Sequence, residues 1–455
     1  MSLTEEFCRY LSGMTWDTLP PAAVDAARRL VLDGIAVAVA GSREQAPRIL
    51  AGHLSELGGN EQATAINFGF RTSTVFAAYL NGASMHVLDY EPMWSPPNHA
   101  LSTTLPAALA LAETLPVSGA AVLTALIRGA EAQGRLRVAS RQDEPRDFGF
   151  HPPGMVGVIG SAVAAGHLLG LDLMQTRHAI GIAASRSGSV LANAGTMTKC
   201  THCGMAVAMG LDAALMAKRG FTANADVIEA PHGYAHAFFG ANYDGDALTR
   251  TGVPLRIAAL GYAMKMFPSQ YATHFVITAA LEARQKIAGC GEIKAVEVVG
   301  PVMQYVDRQR PLTGLEGKFS FQYTAACALL DGAMRIDTFT DEHCRRPDIV
   351  AFLSKVRFTQ SPEIPAALDR TWVEVKVELS SGDRVSTKCQ RPRAAWGDPI
   401  PRTDHLVKVR DCMSRVFDER ISASVIDAVE RFDHLDSAGV RALMRTLGNF
   451  ANAAG

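Results

Sequence analysis

A chain of 455 residues is too long for one ordinary hydrophobic core, so two domains are expected. With 48% apolar and 20% charged residues it reads as a soluble globular protein. Its 44 basic residues balance 45 acidic ones, which argues against nucleic acid as the main partner and leaves any anion site to a few local cations.

The first residues, MSLTEEFCRY, carry Glu5 and Glu6 where a secretory leader is basic. The longest uncharged run, Phe148 to Leu171, is interrupted by Pro152 and Pro153. It reads as a buried helix behind a stiff turn, not as a membrane span. Six of the cysteines are scattered, as suits a reducing cytoplasm. Cys200 and Cys203 form an isolated CxxC around His202. No second ligand pair stands at zinc spacing and no strand precedes it, so neither a metal nor a redox centre is expected.

Residues 20–140 read as successive helices. Pro20-Pro21 opens one that stops at Gly41. Apolar helical patterns follow at 76–88, 105–115 and 119–133. Between the first two lies a proline-broken loop with Asp89 at one end and His99 at the other. Loops held by rigid helices often carry chemistry, although a histidine in such a place also serves as a cap or surface group. Gly149-Phe-His-Pro-Pro-Gly154 repeats the arrangement, with His151 just before a Gly/Ala-rich helix. The glycines at 154, 157 and 160 lack the GxGxxG pattern and read as close helix packing.

The stretch Ser187 to Gly220 enters another helix through Ala-Gly-Thr-Met-Thr. It holds a single full charge, Lys199, between Arg186 and Asp212. A lysine at a dry helix start loses hydration and moves toward proton transfer. With an anion opposite, it stays charged and binds that anion; a lysine that merely snorkels to the surface is the plain alternative. From about residue 256 the texture changes. Residues 293–299 and 372–379 alternate as strands, a turn at 380–383 leads to a partner strand at 384–387, and helices are expected at 319–335 and 347–354. The tail from 403 to 449 is helical again and could fold back on the first part.

With these segments in hand, the chain resembles the MmgE/PrpD family over nearly its whole length. The likeness rests on HVLDYEPMW with NHALSTTLPAALALAE (86–113), GFHPPGMVGVIGSAVAAGHLLGLD (149–172), NAGTMTKCTHCGMAVAMGLDAALMAKRGF (193–221), KMFPSQYATH (265–274) and KFSFQYTAACALLDG (318–332). EAQGRL (131–136) and VMQYVDR (302–308) look most like the decarboxylase branch. The resemblance implies a mainly α protein in which a large all-helical domain is built from both chain ends, 1–263 and 402–455. An α+β lid domain at 264–401 would be inserted between them. It further implies a homodimer, a small polycarboxylate substrate, and neither metal nor organic cofactor.

Carried over by position, the resemblance places Asp89, His99, His151, Lys199 and Lys265 in the catalytic cleft, with Tyr323, Thr196, Met93 and Gln270 around the substrate. Three positions depart from the decarboxylase pattern. Met93 replaces a small hydroxyl residue, Gln270 replaces a histidine, and Cys200 replaces a proline. The shared step of the family is proton movement at a carbon next to a carboxylate. Fixed cations would stabilise the extra charge, histidines would act as acid and base, and Asp89 would orient one of them. The expected reaction is cis-aconitate-like decarboxylation. The alternatives are dehydration of a 2-methylcitrate-like hydroxy acid, epimerisation of an iminodisuccinate-like diacid, or a non-catalytic binding protein of the same fold.

Overall fold

The computed structural model describes residues 1–143, 149–259 and 261–450. Phe148, the first residue of the long uncharged run, and the last five residues of the expected C-terminal segment lie outside them. The protein is predominantly helical. Each expected helix of the first part is present: Pro21–Gly41, Thr74–Val87, Leu105–Thr114, Gly119–Ser140, Pro152–Leu168 and Thr198–Lys218. The fourth runs a full seven residues past its expected end at Gln133. Polar side chains there are satisfied inside the core, as where Arg135 Nε donates to Glu131 Oε1 at 2.6 Å, so polarity did not end the helix.

Helix Thr198–Lys218 is the axis of this part. Its length and composition would suffice to cross a membrane, yet it is mostly buried and packs on helices 74–87, 152–168 and 173–184. Small residues set that distance. A Cβ at Gly210 would lie 2.2 Å from the Val158 carbonyl oxygen, and one at Gly157 would lie 2.7 Å from the Thr103 side chain. Of the glycines at 154, 157 and 160, the last packs against helix 119–140, where a Cβ would lie 2.4 Å from the Gln133 side chain, and the first two pack against Ser189 and Thr103.

A large hydrophobic core draws on residues from Phe7 to Ile257 and again from Leu406 to Leu447. A second core joins Met93 to residues between Ala263 and Trp396. Its sheet has the spatial order Val356–Ser361, Ile293–Pro301, Val373–Leu379, Arg384–Cys389. The first pair is parallel and the others antiparallel. Strand 373–379 alternates buried and partly exposed positions, as its sequence does. Strand 356–361 was not expected. Only its first residue is buried, so the period-2 signal is missing, and its parallel partner lies far back in the chain. The helices Phe321–Asp331 and Pro347–Leu353 are shorter than their apolar patterns; the first ends at Gly332, whose φ of 71° is left-handed.

Candidate functional site

The loop after helix 74–87 is fixed at several points. Asp89 has a φ of 52°, the left-handed region that Asp tolerates better than most residues. Met93–Trp94 pairs antiparallel with Tyr262–Ala263, and the Trp94 amide donates to the Asn98 carbonyl at 3.0 Å. This pairing brings the segment carrying Lys265 against the loop carrying Asp89. His151 stands at the start of helix 152–168, its amide donating to the Ser189 carbonyl at 2.7 Å. Lys199 is the second residue of helix 198–218.

These four segments meet around a cavity of about 270 Å³, lined by Asp89, His99, His151, Lys199, Lys265 and Arg308 among others. Met93 and Gln270 also line it. The carboxylate of Asp89 is bridged by two ammonium groups. Lys199 Nζ donates to Oδ2 at 2.6 Å and Lys265 Nζ donates to Oδ1. Lys265 also donates to the carbonyls of Asp89 at 2.8 Å and Ser269 at 3.2 Å. Burial works against ionisation of Asp89, but the two lysines outweigh it and hold its carboxyl well below the usual carboxylate range. Of the three readings open for Lys199, the one with an anion opposite matches its place beside Asp89.

His86, which the sequence reading passed over, extends the cluster. Lys199 Nζ lies 3.0 Å from His86 Nε2, and His86 Nδ1 lies 2.6 Å from Glu91 Oε1. An ammonium can only donate, so Nε2 accepts and the ring proton sits on Nδ1, toward Glu91. Ser102 donates to both Glu91 oxygens, through its amide at 2.9 Å and its hydroxyl at 2.6 Å. Burial pushes the Glu91 carboxyl up to about 8. His99 has its Nδ1 3.6 Å from Glu91 Oε1 and without a hydrogen-bond partner.

Burial and the nearby ammonium groups push His86, His99 and His151 well below the ordinary imidazole range, so the rings are neutral near pH 7. The charged side chains on the cavity wall are then Lys199, Lys265, Arg308 and Asp89, an excess of two positive charges among the described residues.

Two further placements differ from expectation, those of Tyr323 and Thr196. Tyr323 is not at the cavity. It is fully buried in the second core, where its hydroxyl donates to the Thr338 carbonyl and meets His343 Nδ1 at 2.7 Å. Its helix turns the ring toward Phe339 and His343, away from the cavity. Tyr305 stands at the cavity instead, its hydroxyl accepting from Gln270 Nε2 at 3.1 Å. VMQYVDR was the available signal. Thr196 is exposed and lines an adjoining cavity of about 260 Å³ that shares Asp89, Lys199 and Phe319 with the first. Gln270 also caps helix Tyr271–Lys286, its Oε1 accepting from the Ala272 amide at 2.7 Å.

His86, His99 and His151 come close enough together to surround a metal ion. However, both nitrogens of His86 are engaged, and a dication there would displace the Lys199 ammonium and face Lys265 as well. Cys200 and Cys203 are free and buried, and burial raises both thiols, that of Cys200 to about 12; neither is poised as a thiolate.

Neutral imidazoles beside fixed cations thus line a hollow whose chemistry suits proton transfer, on a mainly helical scaffold. Comparison with known proteins narrows this. The MmgE/PrpD N-terminal domain matches residues 5–245 and the MmgE/PrpD C-terminal domain matches residues 267–434, and the chain belongs to this family. Cis-aconitate decarboxylase of Mus musculus is 30% identical over 452 residues, covering 96% of this chain and 92% of the relative. The Homo sapiens protein of that name is 30% identical over 451 residues, covering 96% and 93%. The one from Aspergillus terreus is 25% identical over 461 residues, covering 95% and 94%. The protein is thus an enzyme of the lyase kind, decarboxylase or dehydratase in type.

Proposed function

We propose that this lyase moves a proton at a carbon α to a carboxylate of a small di- or tricarboxylate, using side chains alone, and that cis-aconitate-like decarboxylation is its reaction. The observation that carries this reading is the positive excess on the wall of a cavity already lined by neutral imidazoles. A volume of about 270 Å³ falls just below the usual span of ligand sites, about 300 to 1,000 Å³, as suits a small acid.

Lys199, Lys265 and Arg308 hold the substrate carboxylates and stabilise the added negative charge of the intermediate. An arriving polyanion favours the charged form of every basic group around it, so His99 and His151 gain proton affinity as the substrate binds. In decarboxylation the bond to the departing carboxylate breaks and its electron pair forms the new double bond. The former double-bond pair takes one proton, from His151 or His99, at the carbon beside a second carboxylate. Carbon dioxide leaves. Asp89 keeps both lysines at fixed positions, and Glu91 with Ser102 holds His86 in the tautomer that accepts from Lys199.

A 2-methylcitrate-like dehydration is the second reading. Burial keeps the Tyr305 phenol protonated, and a neutral acid of that kind suits a departing hydroxide. The same wall could also serve epimerisation of an iminodisuccinate-like diacid. In this reading residues 264–401 act as a lid on a helical domain made of 1–263 and 402–455, and the enzyme works as a cytoplasmic homodimer.

NMR in heavy water tests the proposal, with cis-aconitate, trans-aconitate, 2-methylcitrate and iminodisuccinate as substrates. Deuterium appears at the carbon α to a carboxylate, together with loss of carbon dioxide from cis-aconitate. No deuterium in any of the four overturns the proton-transfer reading. Deuterium with loss of water, or with inversion, moves the assignment to dehydration or epimerisation.

A further inference from the structure

His202 belongs to no cavity wall described above, yet it touches the site. It lies on helix 198–218, one turn from Lys199, and its Nδ1 is 3.2 Å from Nδ1 of His151. The two rings are tilted, with centroids 5.3 Å apart. Two like nitrogens at this distance cannot both donate, so one carries the shared proton and the other accepts it. The tautomer of either ring fixes that of its neighbour. His151 lines the cavity, whereas His202 does not and stands one turn from the exposed Thr198 and Met205 on its own helix. The pair therefore runs from the reaction cavity toward solvent.

We infer that His202 is a positioning residue that supplies protons to His151 from the solvent side of helix 198–218. This rests on the proton-transfer reading above and adds to it the source of the proton. In the starting state His202 donates its Nδ1 proton to His151 Nδ1, and His151 presents an Nε2 proton to the cavity. When the substrate carbon takes the Nε2 proton, His151 Nδ1 takes the proton of His202 Nδ1. His202 Nε2 then takes one from water. One proton passes from solvent to carbon and no ring is left charged. Both rings end as the opposite tautomers and exchange back through water once product release opens the cavity. Burial and the Lys199 ammonium push His202 down to about 4, and burial with Lys199 also lowers His151, so neither ring is held as a fixed cation.

The test compares His202→Ala and His202→Asn with the unaltered enzyme acting on cis-aconitate in heavy and ordinary water. His202→Ala lowers kcat at least about tenfold, a modest share of what general acid catalysis supplies. KM stays within about twofold, the solvent isotope effect on kcat rises, and added imidazole restores kcat saturably by occupying the vacated space. His202→Asn can still donate to His151 Nδ1 but cannot pass a proton on, so it keeps the fold and KM while kcat stays low. An unchanged kcat in either variant, or a loss in His202→Ala that imidazole fails to repair, overturns the inference. If the unaltered enzyme itself places no deuterium at carbon, the proton-transfer reading falls instead, so the two failures are distinguishable.

Discussion

Two buried carboxylates in this protein look alike in a contact list and differ in what surrounds them. Asp89 is bridged by Lys199 and Lys265, with His86 next to Lys199. Asp33 is bridged by Lys408 at 2.8 Å and His405 at 3.0 Å, and Lys408 also donates to the Tyr90 carbonyl at 2.7 Å. Both aspartates lie below the usual carboxylate range: burial opposes this, and the neighbouring cations prevail. The difference is room. Asp89 and its lysines line a cavity, whereas Asp33 joins helix Pro21–Gly41 to helix Arg402–Met413 with side chains packed on all sides. A Lys–Asp–His cluster is thus a fastening when enclosed by protein, and is open to a ligand only when it borders a hollow.

The comparison can be broken by variants that exchange its two consequences. Lys199→Met should lower kcat/KM by about 10³-fold, since it removes a donor aimed at developing charge. Lys265 still pairs with Asp89, so the melting temperature changes little. Lys408→Met should do the reverse, costing about 3 kcal/mol of stability because Asp33 keeps only its contact to the His405 imidazole, while the folded fraction retains its turnover. Urea titrations with steady-state rates check both, and a catalytic collapse without destabilisation in Lys408→Met would refute the distinction. His151→Asn should reduce kcat by about 10²-fold or more with a smaller effect on KM, measured by initial rates.

Glu91 sharpens the contrast through pH. Its folded value of about 8 is above the ordinary 4.5, so the folded protein binds the extra proton. That contribution is complete below about 4.5 and disappears as pH rises through 8. Glu91→Gln should therefore flatten the decline in stability between these values, as read from denaturant midpoints at pH 5, 7 and 9. The aspartates have the opposite sign, since their contribution is present above the ordinary carboxylate value and is lost in acid. The smallest effect belongs to Gln270→Ala. Loss of its neutral hydrogen bond to Tyr305, worth about 0.5–1.5 kcal/mol, should raise KM by less than about tenfold.

Much of this was legible before any coordinates. Pro21 and Gly41 bound a helix because proline suits a helix start and glycine a stop, and both marks are local. Lys199 stood out as a lone charge in an apolar stretch. Asp89, His99, His151 and Lys265 were named from separate segments that the structure gathers around one cavity. His86 was missed because it ends an apolar helix, where a histidine reads as a terminal cap. Glu91 was missed because an acid in a proline-broken loop reads as solvated. Tyr323 was chosen over Tyr305 although VMQYVDR and KFSFQY both carried the resemblance, because a motif does not show which way its helix turns a residue. Asp33, Lys408 and His405 carry no joint signal, since Asp33 lies 372 and 375 positions from the other two.

The fastening at Asp33 also bears on how the molecule is made. Helix Pro21–Gly41 emerges from the ribosome long before Lys408 and His405, and until they arrive its aspartate has no buried counter-charge. Later still come Leu447 and Gly448, whose carbonyls accept from the amides of Asn67 and Gly69. A nascent chain interrupted near residue 400 would therefore carry a nearly complete helical framework with an open seam, a ready substrate for chaperones or proteolysis.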